Sequence, residues 1–388
     1  MLAPFGIRPK GTLLARMLPL ARALQRRGQR ITIVAPPVHN PEDAGTCIEH
    51  GGVPVIHTAL PRLPGPAAVL EQSARLLQAA LGEQPDLLHL FKPKGYSGLA
   101  ALAARAARRA LPLVVDTDDW EGPGGWNDLL PYPAAAKALF AWQERNLPRR
   151  AQAVTVASTT LQSLVWSMGV PAERVFLVPN GIEPGQTPVA PQLCERHAPQ
   201  VLLYTRFWEL DLHELVAALV AIRQARPDVR LVVIGRGEQG EERTLGDLAA
   251  RAGITPMLDL RGWLAPEAIP AVLATCDLAL APIRDTLINR ARGMAKLLEV
   301  LAAGLPVVAS DVGMARAYLD QGAGGMLVPP GDSGALAAAV VRLLNDQDLR
   351  RNKAQGARGA AARYSWDALA PEVEAGYRVA LRNAKGEA

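Results

Sequence analysis

The chain has 388 residues, enough for two domains that each bury a core, and 49% hydrophobic with 20% charged residues excludes a disordered or fibrous protein. Its formal net charge of +5 attracts anions but is too mild to choose among nucleotide sugars, phospholipid head groups and nucleic acid. Apolar runs such as 215–222 and 297–308 are short or interrupted, so none is expected to span a bilayer, and MLAPFGIRPKG lacks the apolar centre of a signal peptide; a cytoplasmic location is expected.

Short β-branched runs alternate with helix-length Ala/Leu/Arg-rich segments, the pattern of βαβ units around a parallel sheet. The opening leaves little room for a first strand. Strands are then expected at 31–35, 53–57, 87–91, 113–116, 153–157 and 175–179, and the pattern restarts with 201–205, 230–235, 258–262, 278–282, 306–310 and 325–328. Between the two series, PNGIEPGQTPVAPQLCERHAPQ keeps neither period and reads as a linker. Trp366, Leu369, Val373, Tyr377 and Leu381 recur at spacings of three and four, so the C-terminus is an amphipathic helix that needs an apolar surface. The expected organisation is a domain over 1–182, a linker over 183–199, a second domain over 200–364, and a helix over 365–388 that returns to the first. Cys47, Cys194 and Cys276 are odd in number and widely spaced, as reduced structural cysteines are.

In open parallel sheets, ligands collect where strands end and helices begin. The loop PFGIRPKGT offers flexible Gly6 and Gly11 with basic Arg8 and Lys10, suited to a hydroxyl-bearing acceptor or a phosphate, but it lacks the spacing of a full Walker loop. His89 ends LLHLF beside Lys92 and Lys94, either facing a cleft or satisfied in the core. In VVDTDDWEGPGGWND, Asp118 and Asp119 follow a strand with Asp116 and Glu121 nearby; a general base, an oxygen-ligand metal site and a capped turn all fit. The first helix carries Arg16, Arg22, Arg26 and Arg27, which either rest on anionic lipid or form the exposed side of a sheet-packing crossover. In the second series, Arg206 ends LLYTRF where a guanidinium can meet diphosphate oxygens, and Gly235 ends LVVIG where a ligand can approach the backbone. Lys296 and Glu299, three apart near a helix start, can meet phosphate and a ribose hydroxyl pair.

KLLEVLAAGLPVVASDVG, the upstream NGIE, GWLAPEAIPAVLATCDLALAPI and GGMLVPPGD resemble the retaining family-four glycosyltransferases of the GT-B class, over nearly the whole chain. The resemblance implies two Rossmann-like domains facing across a cleft, with Glu299 on the donor ribose, Arg206 on the diphosphate, and backbone near Leu298 and Gly313 lining the nucleotide pocket. Residues around Gly235 and Trp263 flank the base, and the acceptor lies near Gly6, His89 and Asp118. It further implies a nucleotide-sugar donor, a sugar, lipid-linked or small-molecule acceptor, no cofactor or metal, no nucleic-acid partner, and room for peripheral membrane contact. Two positions depart from the family pattern: Ala291 replaces a glutamate that touches the transferred sugar, and Asp211 replaces a lysine on the diphosphate. Lys296 with Arg290 or Arg292 is expected to supply the missing cation, and Asn289 some sugar contacts. A non-catalytic member of the fold and a nucleotide-sugar epimerase are the alternatives.

Overall fold

The computed structural model describes residues 1–7, 11–107, 111–183 and 198–385. Two compact units result: Met1–Glu183 with Ala291–Gly293 and the segment from Trp366 onward, and Pro184–Arg290 with Met294–Ser365. Most of the expected linker, 184–197, lies outside the described residues.

The first unit holds β1 (Ile33–Ala35), β2 (Cys47–His50), β3 (Val53–His57), β4 (Leu88–Phe91), β5 (Leu113–Thr117), β6 (Ala153–Val156) and β7 (Val175–Leu177). They form a run β1-β3-β2 and a run β4-β5-β6-β7. Leu2 bridges the two, pairing in parallel with both Val34 and Leu90, so a first strand exists in its shortest form. All pairs are parallel except β2 with β3, an antiparallel edge absent from the strands expected above. CIEH alternates exposed and half-buried residues and lacks the apolar run that marks the other strands; the Gly51-Gly52 turn, with both φ positive, returns the chain onto β3.

The second unit holds β8 (Gln200–Tyr204), β9 (Arg230–Ile234), β10 (Leu258–Gly262), β11 (Leu278–Ala281), β12 (Val307–Ser310) and β13 (Gly325–Val328), in the order β10-β9-β8-β11-β12-β13. All its pairs are parallel, the doubly wound Rossmann-like order, and the direction of winding reverses between β8 and β11. Continuous apolar runs such as LVVI suit strands covered on both faces.

The helix Trp366–Lys385 belongs to the first unit's core. Trp366, Ala370, Val373, Tyr377 and Ala380 are buried with Leu20, Leu24, Val114 and Ala153, from the helix Leu18–Arg26 and from β5 and β6. The chain enters this helix through a hydrogen bond from the Trp366 N–H to the Ile182 carbonyl.

Beneath it lies a buried ion pair. Arg16, 1% exposed, sits in a wide turn that opens the first helix, where the Leu18 N–H reaches back to the Leu13 carbonyl. Its Nε and Nη2 donate to the two carboxylate oxygens of Asp116 on β5 at 2.8 and 2.6 Å. The remaining guanidinium hydrogens reach the carbonyls of Val178 and Pro179 and the side chain of Asn180, while Thr155 on β6 donates to Asp116 at 2.6 Å. Arg22, Arg26 and Arg27 pair with Glu183, Asp367 and Glu374 of the same unit. The basic side of the first helix is therefore ion-paired within the unit, with Arg26 and Arg27 still nearly half exposed.

Burying two charges is tolerated only with such complete pairing, so removing one partner strands the other. Arg16→Ala is expected to destabilise the fold by about 3 to 5 kcal/mol, and Arg16→Met combined with Asp116→Leu to recover most of that loss. Denaturant unfolding of both variants checks the pair.

Candidate functional site

On the first unit, β4 and β5 end in a charged cluster. Lys92 takes a left-handed conformation, φ 50°, directly after β4, and its N–H bonds the Asp116 carbonyl. This strained turn brings its Nζ to 2.6 Å from Asp119, with Glu121 at 3.6 Å and Asp118 at 3.7 Å. Lys94 pairs with Glu121 at 2.7 Å. Burial works against the Lys92 charge, yet Asp118, Asp119 and Glu121 together outweigh it and hold the ammonium well above its ordinary range. Burial, reinforced by Asp119 and Asp116 against Lys92 and Arg16, raises Asp118 to about 6.

One Asp118 oxygen accepts the Thr12 hydroxyl at 3.0 Å; the other is buried without a hydrogen-bond partner. Such a carboxylate is mostly ionised near neutrality and basic enough to take a proton. Behind it Glu144 is buried, and burial followed by Glu121 pushes its carboxyl far up, so it is neutral. Thr12 and Glu144 had no signal in the sequence: one precedes a helix at a distance of 106 residues from Asp118, and the other sits in an ordinary helical repeat.

His89 is enclosed. Its Nδ1 meets the Tyr377 hydroxyl at 2.8 Å, its Nε2 the Thr155 hydroxyl at 3.3 Å, and its ring packs 4.3 Å from that of Phe91. Burial is the main cause lowering it to about 3, so it is a neutral imidazole tying β4 to the terminal helix. A cavity of about 640 Å³ borders it, lined also by Thr32, Glu83, Leu88 and Glu374, at the amino ends of the strands and away from the Asp118 cluster. Gly6 is a packing residue: a Cβ there would lie 1.9 Å from Oδ1 of the buried Asn40. Gly11 is exposed at the helix start, its carbonyl accepting the Ala15 N–H. Arg8 and Lys10 lie outside the described residues.

On the second unit, Tyr204, Arg206, Lys296 and Glu299 gather where β8 ends. The helix Ala295–Ala302 presents Lys296 4.5 Å above the Tyr204 ring, while the Tyr204 hydroxyl bonds to Glu299. Burial, then the charge and hydrogen bond of Glu299, push the phenol far above its ordinary range, so it stays a donor to that carboxylate. Tyr204 escaped the sequence reading because it looked like one more residue of an apolar strand. Arg206 is half exposed and carries Glu238 at 2.7 Å, while its backbone N–H is held by Glu209.

The neighbours are more structural than their positions suggested. Gly235, φ 127°, is required because a Cβ would fall 1.8 Å from the Thr205 carbonyl, and its N–H is taken by Gly262; β9 must pass β8 closely there. Gly313 similarly packs against the Asn289 and Arg290 backbone. Asn289 is 1% exposed and its amide donates to the carbonyls of Glu209 and Arg284, so its NH₂ pins a loop. Arg290 is exposed and gripped by both oxygens of Asp285. The Leu298 side chain is fully buried. Asp211, in the place of the familiar lysine, caps the helix Leu212–Ala225 by accepting the N–H groups of His213 and Glu214. Ala291 is buried in the first unit, its carbonyl accepting the Ser158 hydroxyl.

Residues 11–181 match the family described as Glycosyl transferase 4-like domain, and residues 198–346 the family described as Glycosyl transferases group 1. The chain is 27% identical over 379 residues to a phosphatidyl-myo-inositol mannosyltransferase of Mycobacterium leprae (strain TN), covering 96% of this chain and 94% of the other. It is 26% identical over 377 residues, 91% of each, to a GDP-mannose-dependent alpha-(1-6)-phosphatidylinositol monomannoside mannosyltransferase of Mycobacterium tuberculosis (strain ATCC 25618 / H37Rv). Its fold is similar to that of a sucrose-phosphate synthase from Thermosynechococcus elongatus, with TM-score 0.74, 22% identity and coverage of 95% and 93%. Anabaena HepE, solved with UDP and glucose, superposes with TM-score 0.68, 21% identity and coverage of 96% and 97%.

Asp118 carries a stability signature. Because its folded value, about 6, exceeds the ordinary carboxylate value of 3.8, its charge opposes folding above about pH 6, and that cost fades as pH falls toward 3.8. Asp118→Asn is therefore expected to raise stability at pH 7.5 by up to about 3 kcal/mol and to leave it unchanged near pH 4. Thermal unfolding at both pH values measures the difference.

Proposed function

We propose a division of labour for this chain, which belongs to the glycosyltransferases of group 1, has the GT-B architecture, and moves a sugar from a nucleotide-diphosphate donor to a hydroxyl acceptor. The second unit grips the donor. Glu299, aligned by Tyr204, accepts the two ribose hydroxyls, and Lys296 with Arg206 meets the diphosphate. The observation carrying this reading is the Tyr204–Glu299–Lys296 group where β8 ends, beside the reversal of strand order. Lys296 takes the role that Asp211, committed to a helix cap, does not fill.

The first unit takes the acceptor at the Asp118 cluster. Asp118 orients the attacking hydroxyl and accepts its proton, while Lys92 keeps the surrounding carboxylates balanced. Charge building on the departing nucleoside diphosphate is met by the protein's own cations, so the reading is metal-independent, with configuration retained as the family resemblance implies. Relatives named for phosphatidylinositol acceptors and GDP-mannose support a polyol or lipid-linked acceptor, met from the cytoplasm at a membrane surface. No helix among the described residues is long and apolar enough to cross a membrane.

Calorimetric titration with a panel of nucleoside diphosphates tests the donor half. Lys296→Ala should weaken binding roughly tenfold or more, and Glu299→Ala by about a hundredfold with loss of preference for ribo- over deoxyribonucleotides, given about 1.5 to 3 kcal/mol per charge-assisted bond. Unchanged affinity in both variants sinks the assignment. For the acceptor half, transfer should fall as pH drops through about 6, the limb on which Asp118 protonates.

A further inference from the structure

We propose that the cavity at the amino ends of the first unit's strands is a binding site for a small phosphorylated polyol, of the class of the sugar phosphates. At about 640 Å³ it has room for such a molecule, and it is built entirely within that unit. Val34 of β1, Leu88 of β4 and Leu381 of the terminal helix supply apolar lining on which the C–H face of a sugar ring can rest. Charged groups from three further stretches of chain surround it.

Those charges call for a ligand with two unlike ends. Arg30, between the helix Leu18–Arg26 and β1, and Arg378, on the terminal helix, are exposed, and neither forms an ion pair or side-chain hydrogen bond among the described residues. Two such guanidinium groups can fork onto one phosphate. Glu374 also lines the cavity but is already held by Arg27 and Gln29, at 2.8 and 3.2 Å. The other carboxylates, Glu83 and Asp86, follow the helix Gly65–Gly82; Glu83 accepts the Thr32 hydroxyl at 2.9 Å, and Asp86 has no side-chain partner among the described residues. Carboxylates accept hydroxyl hydrogens and repel phosphate, so a hydroxyl-bearing body with a single anionic end satisfies both sets.

A buried chain of hydrogen bonds fixes what Tyr377 offers this ligand. Thr155 donates its hydroxyl hydrogen to the Asp116 carboxylate at 2.6 Å, so toward His89 Nε2, 3.3 Å away, its oxygen acts as acceptor. Nε2 therefore carries the proton of the neutral imidazole, and Nδ1 accepts from the Tyr377 hydroxyl at 2.8 Å. Every donor in the chain points inward toward Asp116, which leaves the lone pairs of the Tyr377 oxygen for a hydroxyl in the cavity. A ligand hydroxyl donating there adds one link and gains from the polarisation of the rest. The site lies at the strand ends remote from Asp118, so its occupant is an effector, and the inference needs nothing from the donor or acceptor assignments.

Calorimetric titration of the full-length protein with glucose 6-phosphate, ribose 5-phosphate, glycerol 3-phosphate and inorganic phosphate tests it, with and without excess GDP. The tightest of the three organic phosphates should bind about tenfold or more better than inorganic phosphate, and GDP should leave its affinity unchanged. Arg30→Gln with Arg378→Gln should weaken it about a hundredfold, and Tyr377→Phe about fivefold. Arg145→Gln with Arg149→Gln, which removes the same charge away from the cavity, should bind as the wild type does. Unchanged thermal unfolding of the Arg30/Arg378 variant, whose two side chains are exposed, separates lost contacts from misfolding. Absence of wild-type binding to all three, or equal affinity in the Arg30/Arg378 variant, overturns the proposal. So does inorganic phosphate binding equally well, which would leave only an anion site, or displacement by GDP, which would move the ligand to the donor site.

Discussion

The first unit is organised around one requirement, that the charge of Asp116 be matched inside an apolar sheet. A carboxylate on the interior strand β5 is intolerable without a cation, and Arg16 supplies it through two short bonds. The guanidinium then spends its other hydrogens on the chain that leaves β7, and Trp366 closes over it 5.8 Å away. Five elements meet at this pair, and it fixes where β5 ends. The proposed acceptor cluster follows immediately: two residues on, Asp118 emerges from the same strand end into a cluster whose balance is set by Lys92 and Lys94.

The second unit solves a different problem, holding charged side chains at strand ends. Three cations there have a carboxylate or an aromatic partner: Arg206 with Glu238, Arg290 with Asp285, Lys296 over Tyr204. Exposed pairs of this kind are weak, of the order of 1 kcal/mol or less. Lys296 lies over a ring whose hydroxyl is bonded to the carboxylate at 299, which helps hold the ammonium in position.

Much of this was legible before any coordinates. Apolar runs of four or five residues are unmistakable when both faces of a sheet are covered, so the buried strands fall where periodicity placed them. β2 was invisible because an antiparallel edge strand needs no apolar run, and its residues are exposed or half buried. At the candidate sites, position along the chain was readable but direction was not. His89 and Lys92 are three residues apart; a single left-handed turn sends one into a charged cluster, while the imidazole stays among Tyr377, Thr155 and Phe91. Gly235 and Asn289 sit where ligand contact was expected, yet both are needed by neighbouring backbone. Pairings over long separations, Thr12 with Asp118 and Tyr204 with Glu299, leave no local trace.

The terminal helix carries a consequence for biogenesis. Because Trp366, Val373 and Tyr377 complete the core of the first unit, that unit cannot close until the last stretch of the chain has left the ribosome. Its sheet must wait through the synthesis of the entire second unit with an apolar trough open, and with Arg26 and Arg27 lacking their partners Asp367 and Glu374. Stop codons or proteolytic nicks just before Trp366 would therefore yield a half-built product prone to aggregation, even with every residue of both charged clusters intact.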